Sequence, residues 1–443
     1  MSAAREAFEA LAGFVEARAR PGEIVLSRLS AEASDFIRFN RSLVRQATSV
    51  AQWTWALSLL RGQRRIDATV SLTGRGEEDR ATLAALLEAL RTAIEDAPED
   101  PFLLVETHPA QSAVERPGAL PAATEVIDAV LRAGRGVDLV GFYAGGPIHR
   151  GFSSSLGVRH WHSVENFSLS WSLYHDRDKA VKTTYADATW SAAEFERRMG
   201  FATQQLALLA VTPRALAPGG YRAYLAPAAM NELLSMLSWA GFGLKSRRTK
   251  QTALLRMAEQ DAALSPQVTL HENTAGGLAG AFQAEGFVRP PRVPLVEAGR
   301  LAAPLVSPRS SREYGVDTNG ANGSETPESM DLAGGDLPTE AALQALGTGL
   351  YIGNLWYLNF SDRASCRMTG MTRFASFWVE GGRIRSPLDV MRFDDTAYRL
   401  LGDNLEALTR ERDLLPESDT YGERSTLSTR TPGALVRELA LTL

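Results

Sequence analysis

From Phe167 to Leu173 every odd position is apolar (Phe167, Leu169, Trp171, Leu173) and every even one is serine (Ser168, Ser170, Ser172). A repeat of two sends alternate side chains to opposite faces of a strand, so this segment predicts a strand with one buried and one polar face. His175-Asp176-Arg177-Asp178 reads as the turn that follows, and Val181 to Trp190 as the returning strand. At the start of the chain the spacing changes. Phe8, Leu11, Phe14 and Val15 recur at helical intervals and predict an amphipathic helix within residues 2–19.

Between these points, short alternating segments occupy about 23–72, and Leu/Ala-rich helices are expected from Glu77 to about Glu95 and from Ala122 to Ala133. Asp138 to Tyr143 predicts a buried strand, and a helix from Ala192 to Leu209 closes the N-terminal half. Beyond Pro213 short apolar strands and Gly-rich turns predominate. Phe374 to Val379, the turn Glu380-Gly381-Gly382 and Arg383-Ile384 predict a hairpin. Residues 307–338, rich in Ser, Gly, Asn, Asp and Pro, predict a long surface loop. The fold class is therefore α+β in two domains, an α/β domain over 1–212 and a mainly antiparallel β domain over 213–443.

The 443 residues, 44% hydrophobic and 22% charged, suffice for a sizeable core. A formal net charge of -5, with only short basic clusters such as Lys245, Arg247, Arg248 and Lys250, argues against a nucleic-acid partner. No apolar run approaches the roughly 18 residues that cross a bilayer. The charged start Met1-Ser2-Ala3-Ala4-Arg5-Glu6 is unlike a signal peptide. A single cysteine, Cys366, allows no internal disulfide, which fits a reducing compartment. The expected location is the cytoplasm, with no membrane partner.

Three groups of residues invite a chemical reading. His271-Glu272 has the start of a zinc-peptidase motif, but Ala275 and Gly276 stand where a second histidine belongs, and Val268-Thr269-Leu270 with Gly276-Gly277 favours a strand and turn over a helix. His160 and His162 would share one face of a strand, suited to a metal, a substrate contact or packing. Cys366 has no local nucleophile signature and reads as a small buried apolar residue. Trp53, Trp55, Trp356 and Tyr357 sit in alternating apolar segments and read as core.

A series of segments in order resembles the TldD/PmbA, or modulator of DNA gyrase, metallopeptidase family. They are Arg150–Gly157 (RGFSSSLG), Tyr224–Pro227 (YLAP) before a Leu-rich helix, Ala284–Phe287 (AEGF) with Leu295–Leu301 (LVEAGRL), Thr369–Phe374 (TGMTRF), and Val379–Ile384 (VEGGRI) followed by Pro387. In that family the TldD type carries His-Glu-x-x-x-His on the helix after the strand matching Tyr224–Pro227, and a cysteine near the C-terminus. The TldE/PmbA type lacks these ligands and pairs with the first. Here the matching helix reads Met230-Asn231-Glu232-Leu233-Leu234-Ser235-Met236, so Asn231 and Met236 take the two histidine positions and Glu232 alone remains. No histidine lies between His175 and His271, and no cysteine follows Cys366.

The resemblance implies a subunit with no metal and no catalytic residue of its own, zinc being held only by a partner. It further implies a heterodimer with a TldD-like subunit, or a homodimer, acting on unstructured peptides. His160, His162 and Arg373 are candidate peptide contacts. The serine face of 167–173 and the 307–338 segment are candidate channel or interface surfaces. Two alternatives stand beside this: a peptidase using His271, Glu272 and Cys366, and a non-catalytic peptide-binding homodimer.

Overall fold

The computed structural model describes residues 2–176, 179–374 and 376–442. The N-terminal half runs α1 (Ala3–Glu16), β1 (Glu23–Asn40), β2 (Leu43–Arg61), β3 (Arg64–Leu72), α2 (Gly76–Ala93), β4 (Gln111–Arg116), α3 (Ala123–Ala133), β5 (Asp138–Ser154), β6 (Arg159–Asp176), β7 (Lys179–Asp187) and α4 (Ala192–Leu208). Its sheet has the order β3-β2-β1-β5-β6, and β4 and β7 share the outer edge of β6. β4 pairs parallel along Arg159–Val164, and β7 pairs antiparallel further on.

The alternation of β6 survives folding: Phe167, Leu169, Trp171 and Leu173 are buried and the intervening serines half-buried. The apolar face is covered by helices, because a sheet face needs an amphipathic partner. α1 and α2 bring Phe8, Leu11, Leu83 and Leu87 onto Val25, Leu29, Trp55 and Leu57. α3 and α4 bring Val126, Val130, Phe195 and Met199 onto Ile37, Leu169 and Trp171. The opposite face carries polar side chains in register, including Ser30, Glu32, Ser34 and Arg38 of β1 and Gln52 and Thr54 of β2.

Residues 23–72 differ from the expected string of short segments, since β1 and β2 are 18 and 19 residues long. The polar residues do not interrupt the ladder because they pair across it, Ser34 with Val50, Asp35 with Ser49 and Phe36 with Thr48. The expected turn at 175–178 includes Arg177 and Asp178, which lie outside the described residues, and β6 continues to Asp176.

The C-terminal half runs β8 (Gly219–Leu225), α5 (Pro227–Ser238), α6 (Leu244–Arg248), α7 (Leu255–Glu259), β9 (Leu270–Glu272), β10 (Val293–Glu297), β11 (Arg300–Leu301), α8 (Pro308–Tyr314), β12 (Ser329–Leu332), α9 (Ala342–Leu346) and β13 (Gly349–Ile352). It continues with β14 (Leu355–Asp362), β15 (Arg367–Thr372), β16 (Ser376–Glu380), β17 (Arg383–Pro387), β18 (Arg392–Thr396), β19 (Leu405–Pro416) and β20 (Ser428–Leu441). The main path of its sheet is β11-β10-β9-β12-β20-β8-β13-β16-β17, mostly antiparallel. The β16–β17 hairpin turns at Gly381 and Gly382, whose φ of 58° and 71° is the left-handed pair that a two-residue hairpin needs.

The long surface loop expected over 307–338 is not one. It contains α8 and β12, and β12 is buried on all four residues between β9 and β20. Its polar side chains turn inward and satisfy the segment's own backbone. Ser307 caps α8, while Asn319 accepts from the Val306 N–H at 2.8 Å and donates to the Pro304 carbonyl at 2.8 Å.

The chain crosses from one sheet to the other between Leu208 and Gly219, yet packing does not stop there. Phe167 and Trp171 share a core with Tyr224, Tyr351, Phe377 and Leu435. Among the described residues no helix is long and apolar enough to cross a membrane.

Candidate functional site

α5 follows β8, a strand held between β20 and β13 in the middle of its sheet. Pro227 opens the helix with a pre-set φ and no N–H to orphan, and Ala, Met, Leu and Glu then favour helix. The helix stops at Trp239, where the chain turns through Ala240 at φ 62°. A side chain at Gly241 would strike the Leu237 carbonyl, so the exit requires glycine. Ala229, Met230, Leu233, Leu234 and Leu237 bury one face in the core.

The three positions assigned by resemblance lie along this helix. Asn231 Oδ1 is buried with no hydrogen-bond partner among the described residues. Met236 is itself part of the apolar core. Burial pushes the Glu232 carboxyl up, Lys182 opposes that, and Glu417 adds to it. A zinc ion wants imidazole, thiolate or carboxylate donors. An amide oxygen, a thioether packed into hydrocarbon and a single carboxyl are not such a set. The residues present do not fit zinc.

His160 and His162 are fully buried on β6, which removes them from contact with a peptide. His160 Nε2–H donates to the Gly286 carbonyl at 3.1 Å, and its Nδ1 accepts from Ser112 Oγ at 2.8 Å. His162 Nε2–H donates to the Leu278 carbonyl at 2.9 Å, and burial pushes its pKa down to about 4. Both rings therefore pin the 278–286 segment of the C-terminal half onto the N-terminal sheet. Arg116 reinforces the junction through the Gly277 and Thr274 carbonyls.

Arg373 remains at a surface. Its guanidinium lies 4.3 Å from the Trp356 ring centroid and 5.5 Å from that of Phe374. Trp356 and Tyr357 are not core as expected: they are 42% and 77% exposed, because β14 bulges there and leaves Tyr357 at φ 59°.

The residues of the alternative peptidase do not come together. His271 and Glu272 are neighbours on β9, so their side chains leave opposite faces. Glu272 accepts from the Ser329 N–H at 3.1 Å and the Glu328 N–H at 3.0 Å. Cys366 is fully buried in the β14–β15 turn, and burial pushes its thiol up to about 12. No group of three His, Cys, Asp or Glu side chains among the described residues could hold a metal ion.

The serine face of 167–173, expected to line a channel or interface, forms part of a cleft of about 640 Å³ on the polar face of the N-terminal sheet, whose other walls the sequence did not reveal. Ser170 and Ser172 of the serine face lie in its floor, with Arg38, Arg45, Phe142 and Lys182 beside them. One wall is the segment 417–427, which links β19 to β20 and crosses the sheet as a strap. Arg424 anchors the strap. It is 5% exposed and donates to the Asn166 carbonyl at 2.9 Å, Asn166 Oδ1 at 2.6 Å and the Gly146 carbonyl at 2.9 Å. Gln52 donates to the Gly422 carbonyl, and Ser30 to Glu423. The polar even positions of β1 were the signal that could have revealed the face, but nothing local to 417–427 marks it as a strap.

The architecture is a two-sheet α+β fold with a helix presented from a central strand of the second sheet. Residues 218–443 match the PmbA/TldA metallopeptidase C-terminal domain, about half of the chain, and the protein belongs to the TldD/PmbA family. The structure is similar to that of TldE from Thermococcus kodakarensis, with a TM-score of 0.80 at 14% identity over 99% of this chain and 100% of that one. It also resembles a Thermotoga maritima protein solved as a candidate modulator of DNA gyrase, with a TM-score of 0.75 at 14% identity over 99% and 100% of the two chains. At such identity the likeness concerns the fold. No curated protein matches the sequence.

Proposed function

We propose that the chain is a zinc-free subunit of the TldE/PmbA kind, which holds an extended peptide for hydrolysis by a zinc-bearing TldD-type partner. The reading is supported by α5: the family resemblance makes it the counterpart of the zinc-bearing helix, and in that register Glu232 stands between Asn231 and Met236, at positions where the TldD type carries imidazoles. Without zinc no bound water is acidified to a nucleophile near neutral pH, and Glu232 alone has nothing to activate. What this chain supplies is a polar floor and a strap beneath which an extended chain can lie. The polar side chains of such a floor can meet the main-chain groups of an extended peptide whatever its sequence, which suits unstructured peptides. The lone, buried Cys366 fits a reducing cytoplasm.

The test is hydrolysis of a casein-type unstructured peptide by the chain alone, by a TldD-type protein from the same genome, and by their mixture. Activity is expected in the mixture, and Glu232→Gln should leave it within about twofold. Hydrolysis by the chain alone, or its loss in the mixture on Glu232→Gln, would contradict the reading.

A further inference from the structure

The cleft beside the strap has an uneven charge. Arg38 projects from β1, and Lys182 from β7 on the far side of the floor. The ladder fixes their placement: Arg38 pairs with Phe142, Phe142 with Ser170, and one step on Val140 pairs with Ser172 and Ser172 with Lys182. Arg45 reaches the same cleft through an irregularity. Arg38 faces Gln46 and Phe39 faces Val44, so Arg45 is the extra residue of a β-bulge. A bulge re-aims the side chain it carries, and this one adds a third cation to a face that regular pairing would have denied it.

None of the three cations is in an ion pair among the described residues, whereas four arginines elsewhere around the two sheets' junction are. Arg150 is bonded to Glu423, Arg198 to Asp413, Arg289 to Glu328 and Arg412 to Asp331. Against these three cations one carboxylate lines the cleft, Asp419, which accepts the Tyr421 N–H, while Glu232 and Glu417 lie beyond the lining on the Lys182 side. Tyr421, 98% exposed at the top of the strap, adds an aromatic rim. Unpaired cations converging on a concave surface concentrate anions there.

We propose that this cleft selects the anionic part of a peptide, with Arg38, Arg45 and Lys182 receiving Asp or Glu side chains or a C-terminal carboxylate. This rests on the peptide-holding reading above and adds the substrate's charge to it. Arg38 and Arg45 can each take a carboxylate with two parallel N–H donors, and Lys182 acts as a point charge.

The experiment is fluorescence anisotropy of the full chain with two unstructured peptides bearing a neutral dye, one rich in Glu and the other with Gln at the same positions. The Glu peptide should bind about tenfold tighter at low salt, the scale of two to three exposed ion pairs. The preference should shrink toward unity as salt is raised, a test that needs no variant. It should also vanish in the combined Arg38→Gln, Arg45→Gln, Lys182→Gln protein, whose exposed substitutions should leave its urea midpoint unchanged. Equal binding of the two peptides would overturn the charge preference and leave the peptide-holding reading standing. A Glu preference that survives salt or the triple substitution would overturn the assignment to these cations. Failure of both peptides to bind would overturn the peptide-holding reading along with it.

Discussion

Asn231 and Met236 are two side chains whose replacement by imidazole should change the chemistry of the whole helix. The carboxyl of Glu232 lies between them in sequence, and the Oδ1 of Asn231 marks a buried polar spot with no hydrogen-bond partner among the described residues. Asn231→His with Met236→His is expected to bind one zinc in the micromolar range by calorimetry, while the wild type shows no binding heat. Zinc binding by the wild type equal to that of the variant would refute this account of α5.

A second residue-scale expectation concerns pH. Burial pushes Glu272 from its ordinary 4.5 up to about 7, against the N–H donors of Ser329 and Glu328 and the charge of Arg289. The folded state then holds the proton more tightly than the unfolded state. The associated stability is complete below about 4.5 and is lost as pH rises through about 7. His162 works in the other direction: its contribution is complete above about 6.5 and is lost as pH falls through about 4. Glu272→Gln should therefore cost more at pH 5 than at pH 8, by on the order of 2 kcal/mol in urea unfolding. A larger cost at the higher pH would mean that the carboxyl is ionised in the folded protein throughout.

At the scale of elements, helices were the most legible part of the sequence. The apolar spacing of α1 and the Leu/Ala-rich composition of α2 and α3 set their bounds to within a few residues, as did the reading of α4, since a helix is local and its signal lies within one short segment. β6 was equally plain because its serine alternation met a helix-covered face on one side and an open face on the other. β12 was not legible. Its burial comes from β9 and β20, which are remote in sequence, and its flanks carry Ser, Gly and Asn that serve as caps and turns. The strap 417–427 was hidden for the same reason, since its partners Gly146 and Asn166 lie in the other half of the chain. Arg424→Ala would leave those acceptors buried and unpaired, at a cost of about 3 kcal/mol. The strap should then be cut by a glutamate-specific protease at Glu417 or Glu423 many times faster than in the wild type, with the rest of the chain resistant. An unchanged cleavage rate would mean that Arg424 does not hold the strap.

Across the whole molecule, the expected division near residue 212 describes the chain's path better than its packing. Tyr224, Tyr351, Phe377 and Leu435 of the second sheet share a core with Phe167 and Trp171 of the first, and His160, His162 and Arg116 lock the 274–286 segment across the join. Calorimetry of the full chain should accordingly show a single unfolding transition. Two well-separated transitions would show that the shared core contributes little.

The candidate helix was legible at long range only through the ordered segments resembling the TldD/PmbA family, whereas the cleft on the first sheet, beyond its serine floor, needed the ladder and the bulge at Arg45. The account rests on α5 having lost its metal. Elemental analysis of the purified chain, saturated with zinc and then dialysed, tests this most directly. The result expected is far less than one zinc per chain, with near-stoichiometric zinc appearing only when a TldD-type partner is bound. One zinc retained per chain, alone, would contradict it.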